Sequence, residues 1–214
     1  MPHDGRNAKK VTNVNTPRKI LAIVGSYRKG SIVDSAVSEI LSAASECGAE
    51  VSKIYLTDAE IAFCANCRSC TQAPGPTRGR CVADDDMEGI LQQIDRSDAL
   101  VLASPVNFGD ITAVTKRFQE RLVRYAYWPW DKMAPVLRTK RKDKKAVLVT
   151  SSAAPAFLGR MLMRSLGTLK RMAGILGARP VGTLYVGLAA RKDAKLPERA
   201  VNKARKLGRK LAAS

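Results

Sequence analysis

The sequence encodes an α/β protein with a doubly wound, five-stranded parallel sheet, and two observations carry that expectation. Five short apolar runs alternate with longer segments whose apolar residues recur at helical spacing. One of those runs, Ala99 to Ala103 (ALVLA), is apolar at every position, as a strand buried on both faces requires. A chain of 214 residues is long enough to bury one full core of this kind with a small insertion. Right-handed crossovers allow the strand order 2-1-3-4-5, which places a ligand crevice at the carboxyl ends of strands one and three.

Residues 1–17 are polar and are expected to form a disordered tail ahead of a domain at 18–214. The first strand, Lys19 to Val24, ends in Gly25 and the polar turn Ser26-Tyr27-Arg28-Lys29-Gly30-Ser31. From Ser31 onward Ile32, Val33, Ala36, Val37, Ile40, Leu41 and Ala44 mark one face of a helix. Strand, loop and helix start together read as a phosphate cradle, because first-turn amides and the positive end of the helix dipole favour a dianion. Ser26, Arg28 and Ser31 would add hydroxyl and guanidinium donors, and Ser31 and Asp34 stand in the capping-box relation. Gly25 and Gly30 have the outer spacing of a P-loop, but Ser31 and Ile32 stand where its Lys and Ser/Thr belong. Tyr27 fills the second glycine position of a dinucleotide fingerprint. A monophosphate is the simpler guest; an ordinary capped helix with a basic loop would use the same residues without one.

Glu50 to Tyr55 alternates as a second strand, and residues 62–86, with their cysteines, prolines and glycines, form a cysteine-rich insertion. Met87 to Asp95 resumes as a helix, and the third strand opens into Ser104-Pro105-Val106-Asn107-Phe108-Gly109 and a helix from Ile111 to Arg124. Lys145 to Thr150 is the fourth strand; the small residues after it, Ser151 to Ala154, let a ligand approach the backbone. A helix from Phe157 to Leu176, a fifth strand from Arg179 to Val186 and a basic helix from Pro197 to Ala212 complete the pattern. The aromatic run Tyr125 to Trp130 (YAYWPW) suits a plug on its own subunit, a lid or a subunit interface, and we expect the interface.

The net charge of +18 is concentrated in Arg138 to Lys145 and Arg191 to Lys210. A solvated surface that attracts anionic ligands accounts for it, as would a face for nucleic acid or an acidic partner. No aromatics are interleaved for base stacking and no helix-turn-helix or finger spacing occurs, which weighs against nucleic acid. No apolar run reaches the roughly 18 residues of a membrane span. The amino-terminal residues lack the apolar block of a secretory signal. Four of the five cysteines sit in one group rather than a disulfide framework, so a reducing cytoplasm is the expected compartment. His3, the one histidine, lies in the expected tail, which argues against a Ser-His or Cys-His nucleophile system.

Cys64, Cys67 and Cys70 follow a C-x2-C-x2-C pattern, and Cys81 comes ten residues later. Three thiolates wrapped around one point with a distant fourth is the logic of a [4Fe-4S] cluster. Zinc and four reduced thiols are the other readings of the same residues. Pro74, Gly75, Pro76 and Gly79 would fold the long gap back.

Taken in order, GSYRKGS after the first strand, the cysteine group before Asp84-Asp85-Asp86-Met87, and SPVNFG after the third strand resemble a known family over Lys19 to Val186. It is the flavodoxin-like NAD(P)H-dependent FMN reductases, in their iron-sulfur flavoprotein branch. The resemblance implies that Ser26, Arg28, Ser31, Ile32 and Val33 hold the FMN phosphate. Pro105, Val106, Asn107 and Phe108 would lie along the isoalloxazine ring, their amides toward its pyrimidine edge, and Thr150, Ser151 and Ser152 would supply a third contact. It implies NAD(P)H as reductant, an unidentified electron acceptor, a cluster on Cys64, Cys67, Cys70 and Cys81, and a homodimer or homotetramer. The flavin would carry the chemistry, so no side chain is expected to act as catalytic acid or base. The alternative is a non-enzymatic module of the same fold that binds nucleic acid or an acidic partner.

Overall fold

The computed structural model describes residues 16–190 and 194–213. Most of the expected tail, including His3, lies outside the described residues. Along the chain come β1 (Lys19–Val24), α1 (Ile32–Ser45), β2 (Glu50–Tyr55), α2 (Met87–Arg96), β3 (Ala99–Ala103) and α3 (Ala113–Arg121). A short hairpin follows, β4 (Ala126–Tyr127) with β5 (Val136–Leu137), then β6 (Lys144–Ser151), α4 (Ala156–Leu162), α5 (Ser165–Ile175), β7 (Ala178–Val186) and α6 (Glu198–Ala212).

The main sheet has the order β2-β1-β3-β6-β7 and every pairing in it is parallel. Counting only its five strands, that is the order 2-1-3-4-5 of a flavodoxin-like sheet. Alternate residues of β1 serve opposite faces. Ile20, Ala22 and Val24 join Val33, Val37 and Ile40 of α1 and Leu207 and Leu211 of α6. Leu21 and Ile23 join Leu91 and Ile94 of α2, Phe118 of α3 and Leu169 of α5. The period of two in the strand thus sorts one apolar run into two cores. Each fully buried Leu or Ile in these two cores contributes about 1.5–3 kcal/mol.

Two elements differ from expectation. The single helix expected from Phe157 to Leu176 is broken at Met163, which is extended (φ −96°, ψ 142°). The break frees the Arg164 amide to donate to the Gly109 carbonyl at 2.7 Å, and Thr168 of α5 to donate to the Asp110 carboxylate. The aromatic run forms part of the unexpected β4–β5 hairpin and touches the cysteine insertion of its own chain. The Arg68 guanidinium lies 3.9 Å from the Trp128 ring centre and 4.3 Å from that of Trp130, and donates to the carbonyls of Trp128 and Pro129. Among the described residues no helix is long and apolar enough to cross a membrane.

The insertion, irregular apart from a 3-10 turn at Ser69–Thr71, is tied down by charge. Arg121 of α3, only 2% exposed, donates to both Asp85 oxygens and to the Ala62 carbonyl. Arg124 donates to Glu88 and to the Gly79 carbonyl.

Candidate functional site

The crevice forms where the loops after β1, β3 and β6 meet. Gly25 begins the first loop, its amide bonded to the Ala103 carbonyl at 2.8 Å. Its own carbonyl accepts from Thr112, the N-cap of α3, at 2.6 Å. Thr112, Thr115 and Ser104, all buried, share hydroxyl hydrogen bonds with one another. This small network clamps the loop after β1 to the loop after β3. A Cβ on Gly25 would stand 1.7 Å from the Thr115 hydroxyl, so only glycine fits there.

Within the first loop, Ser26 Oγ lies 3.0 Å from Ser31 Oγ and accepts from the Arg28 amide at 3.3 Å. Ser31 caps α1, accepting from the Asp34 amide. The reciprocal half of the expected capping box is shifted by one residue: the Asp34 carboxylate accepts from Gly30 rather than Ser31, at 2.7 Å. It also accepts from Lys53 and from the Tyr55 hydroxyl of β2, each at 2.9 Å. Burial alone would push this carboxyl up, but the Gly30 amide, Lys53 and Tyr55 together hold it below the ordinary range. The first turn of α1 leaves the amides of Ile32 and Val33 without intrahelical partners. Two hydroxyls, a guanidinium and a helix start therefore share one loop, a donor set suited to a phosphate.

The loop after β3 turns back at Phe108 and Gly109, both in the left-handed region (φ 47° and 84°). Asn107 and Asp110 pair across the turn through both backbone hydrogen bonds. The Val106 amide is bonded to the Ser151 carbonyl, so the amides of Val106 and Asn107 serve the fold itself. Those of Phe108 and Gly109 have no such partner among the described residues. The Phe108 side chain projects fully into solvent, where a left-handed aromatic is a strained choice.

A cavity of about 210 Å³ is lined by Ser26, Arg28, Ser31, Ile32, Pro105, Val106, Asn107, Ser151 and Ser152. Of the expected flavin residues, Val33 and Thr150 have side chains buried in the core, and Phe108 stands outside the cavity. Ala153, among the small residues expected to let a ligand approach, also lies on its wall, whereas Tyr27, Ala189 and Ala190 were missed as lining residues. Tyr27 had been weighed only as a missing glycine; its hydroxyl accepts from the Val114 amide at 3.3 Å and fastens the first loop to α3.

A second cavity is lined by Cys64, Cys67, Cys70 and Cys81 together with Arg121 and Trp128. Asn66 and Arg68, between the first three cysteines, have positive φ (52° and 58°), so the backbone coils tightly there. Gly79 packs so closely on Cys70 that a Cβ would stand 1.7 Å from its carbonyl oxygen, which folds the long gap back as expected. Arg121 donates to Cys81 Sγ at 3.4 Å, and Ser69 donates to Cys67 Sγ at 3.5 Å. The Ser69 hydroxyl and amide draw the Cys67 thiol down, whereas burial and the neighbouring thiols push Cys70 up. Four sulfurs on one cavity are the right donors in kind and number for a [4Fe-4S] cluster. Yet among the described residues no three His, Cys, Asp or Glu side chains are gathered as a metal site.

A doubly wound sheet with a phosphate-type crevice at its switch point defines a nucleotide-binding α/β protein. Residues 18–192 match the family model described as NADPH-dependent FMN reductase, and the chain belongs to that family. An iron-sulfur flavoprotein of Archaeoglobus fulgidus is 33% identical over 115 residues, which cover 52% of this chain and 48% of that protein. One from Methanosarcina thermophila is 32% identical, over 49% of this chain and 52% of its own length. In these two matches the chain spans about half the length of its relatives. A further iron-sulfur flavoprotein of Archaeoglobus fulgidus is 26% identical over 197 residues, covering 90% of this chain and 93% of its own. Among solved structures, an FMN-dependent NADH-azoreductase from Bacillus anthracis in complex with FMN superposes with a TM-score of 0.68 at 14% identity, covering 92% of this chain and 100% of the other. At that identity the likeness speaks for the fold alone.

Proposed function

We propose that this chain is an FMN-dependent oxidoreductase that uses NAD(P)H to reduce its flavin and passes the electrons to an acceptor. The observation that carries the reading is the clamp of Ser104, Thr112 and Thr115 on the Gly25 carbonyl, which sets a phosphate-type loop and a ring-type loop side by side. Bound FMN would supply the chemistry, accepting hydride from the nicotinamide and releasing electrons onward.

The chain's own residues bind and orient. Ser26, Arg28 and Ser31 would donate to the phosphate, with the amides of Ile32 and Val33 completing the cradle. The cavity volume of about 210 Å³ suits the phosphate and sugar-alcohol chain, and leaves the ring across the open side beside Pro105, Asn107 and Phe108. The free amides of Phe108 and Gly109 would meet the pyrimidine edge, where negative charge grows on reduction. Ser151 and Ser152 would close the cavity from β6, and Thr150, bonded to Ser165, would hold that loop from behind.

The finer reading assigns Cys64, Cys67, Cys70 and Cys81 as ligands of a [4Fe-4S] cluster, supported by their shared cavity and by the two positive-φ residues between them. The cluster would store one electron at a time.

Protein reconstituted with FMN and mixed anaerobically with NADPH should lose its visible flavin absorption; an unchanged spectrum would contradict the activity. Iron and acid-labile sulfide should be present in anaerobically purified protein and absent from Cys67→Ser. Iron retained in that variant would remove the cluster assignment.

A further inference from the structure

A carboxylate stands directly behind the loop that is built for a phosphate. Asp34 is the third residue of α1 and only 5% exposed. Its Oδ2 accepts from the Gly30 amide at 2.7 Å, next to Ser31, which lines the cavity. An anion in the first turn of a helix is favoured by the helix dipole, so Asp34 supports α1. A phosphate held at the same helix start would face that fixed negative charge, and like charges at one site disfavour each other.

Lys53 of β2 answers it. Its side chain is 19% exposed, and its ammonium donates to Asp34 Oδ1 at 2.9 Å, to Ser38 Oγ at 2.8 Å and to the Tyr55 hydroxyl at 3.3 Å. Three acceptors match the three N–H bonds of an ammonium, so the charge is fixed in place. Both neighbours are anchored on the same residue: the Tyr55 hydroxyl donates to Asp34 Oδ1 at 2.9 Å and the Ser38 hydroxyl to the Asp34 carbonyl at 3.1 Å. Lys29, in the loop itself, is paired with Asp58 at 2.7 Å. Among the described residues, Lys53 is the one cation within ion-pairing distance of Asp34.

We propose that Lys53 sets the affinity of the Ser26–Ser31 loop for the FMN phosphate by cancelling the Asp34 charge behind it, an assignment that rests on the flavin-reductase reading. With Lys53 present, carboxylate and ammonium form a neutral pair, and the phosphate meets only the helix start, the hydroxyls and Arg28. Without it, two anions share one helix start in a partly buried loop, where water screens them incompletely. Lys53 lies outside the cavity wall and acts through Asp34, which makes it a positioning residue. Riboflavin carries no phosphate and does not sense the pair. Asp34 thus acts with opposite signs in two processes: it supports the fold through Gly30 and Tyr55, and it opposes the phosphate unless Lys53 neutralises it.

The test titrates the full-length apoprotein with FMN and with riboflavin. Lys53→Gln should weaken FMN binding by roughly tenfold and leave riboflavin binding within about twofold of wild type. Lys53→Arg keeps the charge and should keep the wild-type FMN-to-riboflavin ratio. Asp34→Asn, whose side-chain oxygen can still accept from Gly30, should bind FMN at least as tightly as wild type while unfolding more easily. Combining it with Lys53→Gln should recover the FMN affinity that Lys53→Gln loses. A purely structural role would weaken both ligands together and make the double variant the worst of the set. An unchanged ratio in Lys53→Gln, an equal loss for both ligands, or a double variant without recovery would each overturn the assignment. Should Lys53→Gln not fold, a lowered ratio in Asp34→Asn would overturn it alone. Equal binding of FMN and riboflavin by the wild-type protein would overturn the underlying reading instead.

Discussion

A methyl group on Gly25 has nowhere to go, since the Thr115 hydroxyl would lie 1.7 Å from it and the Thr115 Cβ 3.0 Å. Gly25→Ala should therefore lower stability by roughly 1–3 kcal/mol, the range for overpacking a filled interior. A urea midpoint equal to wild type would contradict this. Phe108 makes the opposite case: it is exposed and left-handed, so Phe108→Gly should raise stability by about 1–2 kcal/mol. A drop in the urea midpoint would show that the ring makes contacts worth more than its backbone strain. That Ser26, Arg28 and Ser31 share one loop at the crevice was legible in the sequence because a strand, a loop and a helix start lie within a dozen consecutive residues. Thr112 and Thr115 were not, because their partner at Gly25 is 87 and 90 residues away and nothing local marks a hydroxyl as a clamp.

Asp34 joins three elements, tying α1 to the loop through Gly30 and to β2 through Lys53 and Tyr55. Its folded pKa is depressed, while in the unfolded chain it titrates near about 3.9. The stabilisation it provides is complete above the unfolded value and is lost as pH falls through the folded one. Asp34→Asn should be less stable than wild type at neutral pH, and the difference should shrink as the solution is acidified below about pH 4. A difference independent of pH would contradict the role of its charge. The strands and most helices were legible from periodicity, whereas the break between α4 and α5 was not. No proline or glycine marks Met163 or Arg164; the chain bends because the Gly109 carbonyl and Asp110 carboxylate recruit donors from the next turn. The β4–β5 hairpin escaped for a related reason, since two-residue strands leave no pattern to count. The stacking of Arg68, coiled among the cysteines, on two rings of the aromatic run was not legible, because the partners lie about 60 residues apart.

For the molecule as a whole, strand order and crevice position follow from alternation of strands and helices together with handedness, which is why both were legible in advance. The charge of +18 was equally visible, but its division into paired and unpaired cations required the fold. With so much positive charge, the association rate of NADPH should fall as ionic strength rises from tens to hundreds of millimolar, because screening shortens the reach of the field. Stopped-flow rates unaffected by salt would show that the charge does not steer the ligand.

The central claim is that the Ser26–Ser31 loop is built for a phosphate, and comparing FMN with riboflavin in equilibrium titrations of the apoprotein addresses it most directly. Two or more charge-assisted hydrogen bonds to the phosphate predict that FMN binds roughly 100-fold or more tightly than riboflavin, and that Arg28→Ala removes about tenfold of that advantage. Equal affinities for FMN and riboflavin would contradict the account.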